Sequence, residues 1–261
     1  MEGTYIEILE KQLACDYDCT IEDVRSDRNI FRTQKICDGA RSIGSDCSML
    51  KVAIYREKLL VMADEKILDW CKNTFGRYDG VWFSEPENLI SIHNKLQEYG
   101  QRLADTHHYY IPTQNYGQLV CVATKSRNVI VANGFERKEV ELKWYEKAEI
   151  ETFRGDDRFH EAILFDEKTP DMLAVCAVDS DVILGMAGAT KDTNFMWQIG
   201  VNVTQEGRGK GIGSMVVACL KDEVLSRGFL PFYATVESHI KSQKVALRAG
   251  FEPVFYEMFS E

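Results

Sequence analysis

Four glycines at alternate positions, Gly207, Gly209, Gly211 and Gly213, enclose two cations, Arg208 and Lys210. A glycine leaves its amide open to a bulky anion, because no Cβ stands in the way. The residues that follow continue as a helix, with Ile212, Met215 and Val216, Cys219 and Leu220, and Val224 recurring at steps of three and four. The first N–H groups of such a helix have no partner of their own and point at whatever lies before it, a geometry that suits a phosphate or pyrophosphate. Ahead of the turn, Phe195, Trp197, Ile199, Val201 and Val203 alternate with Met196, Gln198, Gly200 and Asn202, the pattern of a strand with one buried face. The positioning elements are therefore a strand, a glycine-rich turn and a helix that stops at Arg227 and Gly228.

Arg208-Gly209-Lys210-Gly211-Ile212-Gly213 reads R-x-x-G-x-G after a strand ending in Val203. This resembles the acyl-CoA signature of the GNAT superfamily of N-acetyltransferases. Downstream, Ser238-His239-Ile240-Lys241-Ser242 leads into Val245 to Phe251, which is similar to the second element of that superfamily, N-x-x-S followed by a short helix and G-F. His239 stands where asparagine is common. The resemblance covers roughly the last 120 residues. It implies that Val201 and Val203 hydrogen-bond the pantetheine arm of acetyl-CoA through their backbone and that the amides of Gly209, Lys210, Gly211, Ile212, Gly213 and Ser214 hold its pyrophosphate. Arg208 would sit beside that group, and His239 and Ser242 would flank the far side of the cofactor.

Acetyl transfer asks that an amine lose its proton and attack the thioester carbonyl, with a donor for the oxyanion and a base of suitable pKa. By resemblance, the backbone near Gly200 and Val201 supplies the donor, because in the family this strand splays from its neighbour. Many relatives place a glutamate on the strand, but its polar face here offers Gln198 and Asn202, neither of which takes a proton at neutral pH. The candidate bases are His239, whose unperturbed pKa of about 6.5 suits the task, and Glu237, with Asp192 before the motif strand. The family tyrosine that protonates the leaving thiolate aligns with Ala246, so Tyr233 or Tyr256 would have to stand in, or the thiolate leaves unaided. The acceptor expected is a primary amine on a small molecule. Rival readings are an acyl-CoA-binding sensor without turnover, motivated by the missing glutamate and tyrosine, and acetylation of a protein partner. A homodimer is one option for the assembly.

A dinucleotide-binding βαβ unit is the competing reading of the glycine run, with Glu237 as the ribose contact. Against it, the glycines begin only after Thr204, Gln205 and Glu206, and the segments Met172 to Val178 and Val182 to Ala189 are joined by a turn too short for a parallel crossover. The chain beyond Val203 is also too short to complete a doubly wound sheet.

The 261 residues suggest two domains. No run reaches the ~18 apolar residues of a membrane span, and the first residues lack the pattern of a signal peptide. The expectation is a soluble, cytoplasmic protein. A net charge of −10 disfavours nucleic acids and anionic membranes and mildly favours a cationic substrate. The eight cysteines include no C-x-x-C pair and read as reduced core thiols; Cys15 and Cys19 lack a second ligand pair, so no metal is expected.

The first half reads as a smaller α+β accessory domain, residues 1–137. Its elements are a helix near Tyr5 to Leu13, a hairpin over Met49 to Tyr55 and Lys58 to Met62, and a helix from Asp64 to Phe75 stopped by Gly76. A further helix is expected behind a Ser84–Glu87 capping box, with Leu89, Ile90, His93 and Leu96 inward. His107-His108-Tyr109-Tyr110 reads as aromatic packing, since neighbours on a strand face opposite ways. The junction is placed around Asn115, Gly117 and Asn133-Gly134. Residues 138–261 form the second domain, with strand Val140 to Tyr145, helix Glu149 to Phe165, a hairpin, the motif strand and helix, strand Phe232 to Val236, helix His239 to Ala249 and strand Glu252 to Phe259. The fold class is α/β (α+β), a mixed and mostly antiparallel sheet flanked by helices.

Overall fold

Thr4 and Thr20 each open a helix in the same way. The threonine hydroxyls accept from the N–H groups of Glu7 and Asp23, whose carboxylates reach back to the threonine N–H groups. These capping boxes satisfy donors that a helix start leaves over, and they fix α1 (Tyr5–Asp16) and α2 (Ile21–Arg25). The computed structural model describes residues 4–35, 37–42, 48–113, 128–133 and 136–261. Asn115, Gly117, Gly134, Cys47 and Cys121 lie outside the described residues.

After β1 (Ile30–Thr33), β2 (Leu50–Tyr55) and β3 (Lys58–Ala63) form an antiparallel hairpin. Its turn residues Arg56 and Glu57 both take positive φ, the geometry that matches strand twist in a two-residue hairpin. Asp64 caps α3 (Glu65–Phe75) by accepting from the Lys66 N–H. The next helix, α4 (Pro86–Gln97), departs from expectation at its start. Glu85 is the N-cap and no side chain caps the helix, because Pro86, which has no N–H to satisfy, occupies the first helical position. Its inward residues are Ile92 and Leu96, while His93 and Ile90 face solvent, so His93 is not a core histidine. β4 (Leu103–Pro112) follows.

The second half contains β5 (Asn128–Asn133), β6 (Glu136–Glu146), α5 (Lys147–Ile150), β7 (Asp171–Asp179), β8 (Val182–Lys191), β9 (Met196–Val203), α6 (Ile212–Ser226), β10 (Leu230–Thr235), α7 (Ile240–Arg248) and β11 (Phe251–Ser260). Strands β5 to β9 pair antiparallel in sequence order, and β10 joins β9 in parallel. Phe195 precedes β9 and is exposed, whereas Met196, Trp197 and Ile199 are buried. One face of these strands, including Val175, Ala187, Trp197 and Ile199, packs on Val216, Val217 and Leu220 of α6.

The opposite face, including Ala174, Cys176 and Met186, is covered by Ile150, Phe159, Ala162 and Ile163. Here the structure corrects the sequence reading. Instead of one helix over Glu149 to Phe165 there is a single turn of α5, two short 3-10 turns at Glu151–Phe153 and Asp157–Phe159, and irregular chain. Side chains of the strands replace the helical hydrogen bonds: Asp171 accepts from the N–H groups of Leu164 and Phe165, and Asn202 from those of Glu161 and Ala162. Gly155 and Phe165 take positive φ, which no continuous right-handed helix allows.

The chain forms two units. The C-terminal unit comprises Tyr110–Ala234 and His239–Glu252, and the N-terminal unit comprises Glu2–Tyr109, Thr235–Ser238 and Pro253–Glu261. Within the latter, strand order is β1-β3-β2-β11, with Tyr256 to Phe259 of β11 antiparallel to β2. Cys15, Cys19, Cys37, Cys71 and Cys176 are free thiols, and burial pushes Cys71 and Cys176 up to about 12. Among the described residues no helix is long and apolar enough to cross a membrane, and no group of three or more His, Cys, Asp or Glu could hold a metal ion.

Candidate active site

β9 and β10 run side by side only from Met196↔Leu230 to Gln198↔Phe232, although the strands continue to Val203 and Thr235. Beyond that point they part. The Thr204 N–H donates to the Leu184 carbonyl on β8 at 3.0 Å. Successive residues of a strand direct their backbone groups to opposite edges, so Val203 and Val201 present theirs on the edge that β10 has left. Two consecutive backbone rungs thereby face a cleft between diverging strands.

The strand ends in a 3-10 turn, Gln205–Gly207, and reaches α6 through Gly211, which stands at the N-cap with φ +78°. That left-handed conformation is open to glycine at little cost and strained for other residues. No side chain caps α6, and the first helical hydrogen bond of this turn runs from Met215 N–H to Gly211 O. The amides of Ile212, Gly213 and Ser214 consequently precede the helical ladder and point out of its start. Gly207 and Gly213 have a different use. A Cβ on Gly207 would stand 2.1 Å from the Leu184 carbonyl oxygen, and one on Gly213 would meet Val203 at 3.1 Å and Val245 at 3.4 Å. These two glycines let the turn and helix lie against their neighbours. Arg208 is exposed and Lys210 half-buried, leaving both cations on the turn.

In the second motif His239 is the N-cap of α7, its ring exposed and making no cap hydrogen bond. The Ser242 hydroxyl lies 2.8 Å from that of Tyr233 on β10, whose ionisation burial pushes upward. Glu237 belongs to the N-terminal unit, where its carboxylate accepts from the Thr106 hydroxyl at 2.6 Å. Tyr256 is in that unit too, its phenol pushed up by burial and by the Glu237 charge. Asp192 accepts from the Thr190 hydroxyl and the Gln198 N–H, which occupies it at the mouth of the β8–β9 turn.

The polar face of β9 is covered by a neighbouring segment. The segment held by Asn202 lays the Glu161 carbonyl over Gly200 so closely that a Cβ there would stand 1.8 Å from the oxygen. Glu161 is thus brought to the strand by tertiary contact. A periodicity argument placed it inside a helix; the signal that could have revealed it is the glycine at position 200 opposite a bulky face.

Residues 139–251 match the model of the acetyltransferase (GNAT) family. No curated protein matches the sequence. Among solved structures the chain is similar to a GCN5-related N-acetyltransferase-like protein from Streptococcus suis 89/1591, at 13% identity and a TM-score of 0.50 over 98% of this chain and 99% of that one. An acetyltransferase of the GNAT family from Colwellia psychrerythraea matches at 14% identity and a TM-score of 0.40, over 60% of this chain and 56% of that one. A GCN5-related N-acetyltransferase from Kribbella flavida matches at 15% identity and a TM-score of 0.40, over 63% and 61%. The chain spans less than two thirds of these last two proteins. The first likeness runs the length of both chains and shows the fold.

Proposed function

We propose that the chain transfers an acetyl group from acetyl-CoA directly to a primary amine of a small molecule. The observation that carries this reading is the continuity of donors: the open edge of β9 at Val201 and Val203 runs into the uncapped start of α6. An extended amide-bearing arm that ends in a pyrophosphate fits such a line, whereas a nicotinamide dinucleotide has no use for an open strand edge. Val201 and Val203 would hold the pantetheine arm, and the amides from Gly209 to Ser214, with Arg208 and Lys210, the pyrophosphate. Bound there, acetyl-CoA supplies an activated thioester. His239 and Ser242 would line the other wall, and His239 is the proposed base because its imidazole is exposed, makes no cap hydrogen bond and carries a nitrogen that can accept a proton. Glu237, the other candidate base, belongs to the N-terminal unit. The proposed setting is the cytoplasm.

Calorimetry with acetyl-CoA and a thiol-release assay over a panel of amines test the reading. Lys210→Glu puts a negative charge beside the phosphate site without touching a packed glycine, and a charge-assisted contact of roughly 1.5–3 kcal/mol is worth about tenfold or more. The variant is expected to bind acetyl-CoA at least tenfold more weakly with unchanged thermal stability. Binding of NADH at this place with no heat from acetyl-CoA would overturn the assignment; tight acetyl-CoA binding with no thiol released from any amine would make the chain a sensor.

A further inference from the structure

Beside the strand that would hold the thioester arm, the segment from Asp157 to Ile163 carries an unusual distribution of charge. Asn202 fixes it from below, its side-chain oxygen accepting from the N–H groups of both Glu161 and Ala162 at 2.8 Å. Gly200 fixes it from the side, since the Glu161 carbonyl occupies the space of a Cβ. Phe159, Ala162 and Ile163 anchor it in the core. The backbone of Glu161 is therefore rigid, while its side chain is 68% exposed. Arg158 is neutralised by Asp156, with which its guanidinium makes three hydrogen bonds. Asp157 is exposed, and the partner of the Glu161 carboxylate among the described residues is the His160 imidazole, 3.4 Å away and itself 67% exposed. Burial raises the Tyr233 phenol, the Glu161 charge adds to that in the same direction, and the Tyr233 hydroxyl shares a hydrogen bond with Ser242. A solvent-facing carboxylate is thus carried on a backbone that is anchored against Gly200 of the motif strand.

We propose that Glu161 binds a second cationic centre of the acceptor, so that the substrate is a small molecule carrying a positive charge in addition to the amine that is acetylated. This rests on the acetyl-transfer reading above and narrows it. The distinction between the two nitrogens follows from acid–base chemistry. A carboxylate paired with an ammonium stabilises the charged form, and an amine held that way is a worse nucleophile. Glu161 therefore serves the nitrogen that does not react. The chain's net charge of −10 favours the approach of such a molecule.

The test compares α,ω-diaminoalkanes with amino alcohols of equal length as acceptors for the full-length protein. The wild type is expected to prefer the diamine at least tenfold in kcat/KM, mainly through KM, and high salt is expected to shrink the preference. Glu161→Gln keeps the anchored backbone and should erase the preference by raising KM for the diamine, with kcat for the amino alcohol and affinity for acetyl-CoA unchanged. Glu161→Asp should restore part of it. An unchanged diamine preference in Glu161→Gln, or none in the wild type while amino alcohols turn over, overturns the inference and leaves acetyl transfer standing. A wild type that binds acetyl-CoA and acetylates neither class overturns both.

Discussion

Asn202 illustrates how a side chain can be conspicuous in sequence for the wrong reason. On the polar face of the motif strand it is notable as an amide where a carboxylate might serve as base. In the folded chain its oxygen instead receives two backbone N–H groups, at 2.8 Å each, and so holds the segment that carries Glu161. In Asn202→Ala the Glu161 N–H loses this partner, while the Ala162 N–H keeps the Phe159 carbonyl at 3.0 Å, and an unmet backbone donor costs about 1–3 kcal/mol where water does not replace it. That variant is expected to lose roughly 1–3 kcal/mol in urea unfolding and to raise KM for the acceptor more than KM for acetyl-CoA. Asn202→Asp, which keeps two acceptors at the site, should retain most of the stability. Equal stability of Asn202→Ala and wild type would show that the segment is held by its core residues alone.

At the scale of elements, the helix that follows the glycine turn is tied at its far end. Arg227, one residue beyond α6, donates to both carboxylate oxygens of Glu146 at the end of β6, at 2.9 and 2.6 Å, and also to Glu223. The hydrogen bonds from Arg227 hold the Glu146 carboxyl below its usual range. A carboxylate whose folded pKa is depressed adds stability above its unfolded pKa and loses that contribution as pH falls through the folded value. Glu146→Gln is therefore expected to destabilise the protein at pH 7 and to be indistinguishable from wild type near pH 2. The Glu146 side chain is 59% exposed, so the difference at pH 7 should stay below about 1 kcal/mol. Thermal unfolding of both proteins across this range checks the sign, and a difference that grew toward low pH would refute it.

The whole molecule departs most from a linear sequence of domains. The N-terminal unit takes in Pro253–Glu261 from the other end of the chain. There Glu257, 1% exposed, accepts from the Tyr17 hydroxyl at 2.7 Å and from Arg41 at 3.1 Å, while Arg41 also pairs with Asp16 at 2.6 Å. The Arg41 guanidinium lies 4.9 Å from the Tyr109 ring centre and 5.1 Å from that of Phe255. Ser260 accepts from the N–H groups of Met49 and Leu50 in the same unit. Removing one partner of a buried ionic cluster costs about 3–5 kcal/mol, a large part of the stability of a small domain. A fragment ending at residue 137 lacks Phe255, Glu257 and Ser260 together and is expected to show no cooperative thermal transition. A sharp melt of that fragment, seen by circular dichroism, would mean that the C-terminal strand is dispensable to the unit.

Much of the C-terminal unit is legible in the sequence because its determinants are local. Alternation marks β9, the step of three and four marks α6, and Gly228 and Gly250, both at positive φ, end their helices where turn chemistry requires. The glycine turn is readable for the same reason, although two of its glycines serve packing that no spacing reveals. The segment from Glu149 to Phe165 has helical periodicity yet is not one helix. Its backbone donors are claimed by Asp171, which follows just beyond the segment, and by Asn202, which is distant along the chain, and its path is set by Gly200 and Gly188. The capping-box pattern at Ser84 likewise yields to Pro86 next to it.

The sequence by itself determined the glycine turn, the strand that leads to it and the likeness of residues 139–251 to the GNAT family, since each rests on neighbours within a few positions. Only the tertiary structure decided that β9 and β10 part after Gln198, that the backbone of Glu161 lies against Gly200 and that Glu257 completes a unit begun at residue 2. Those contacts join positions far apart in the chain, and their geometry is fixed by packing and backbone satisfaction rather than by local pattern.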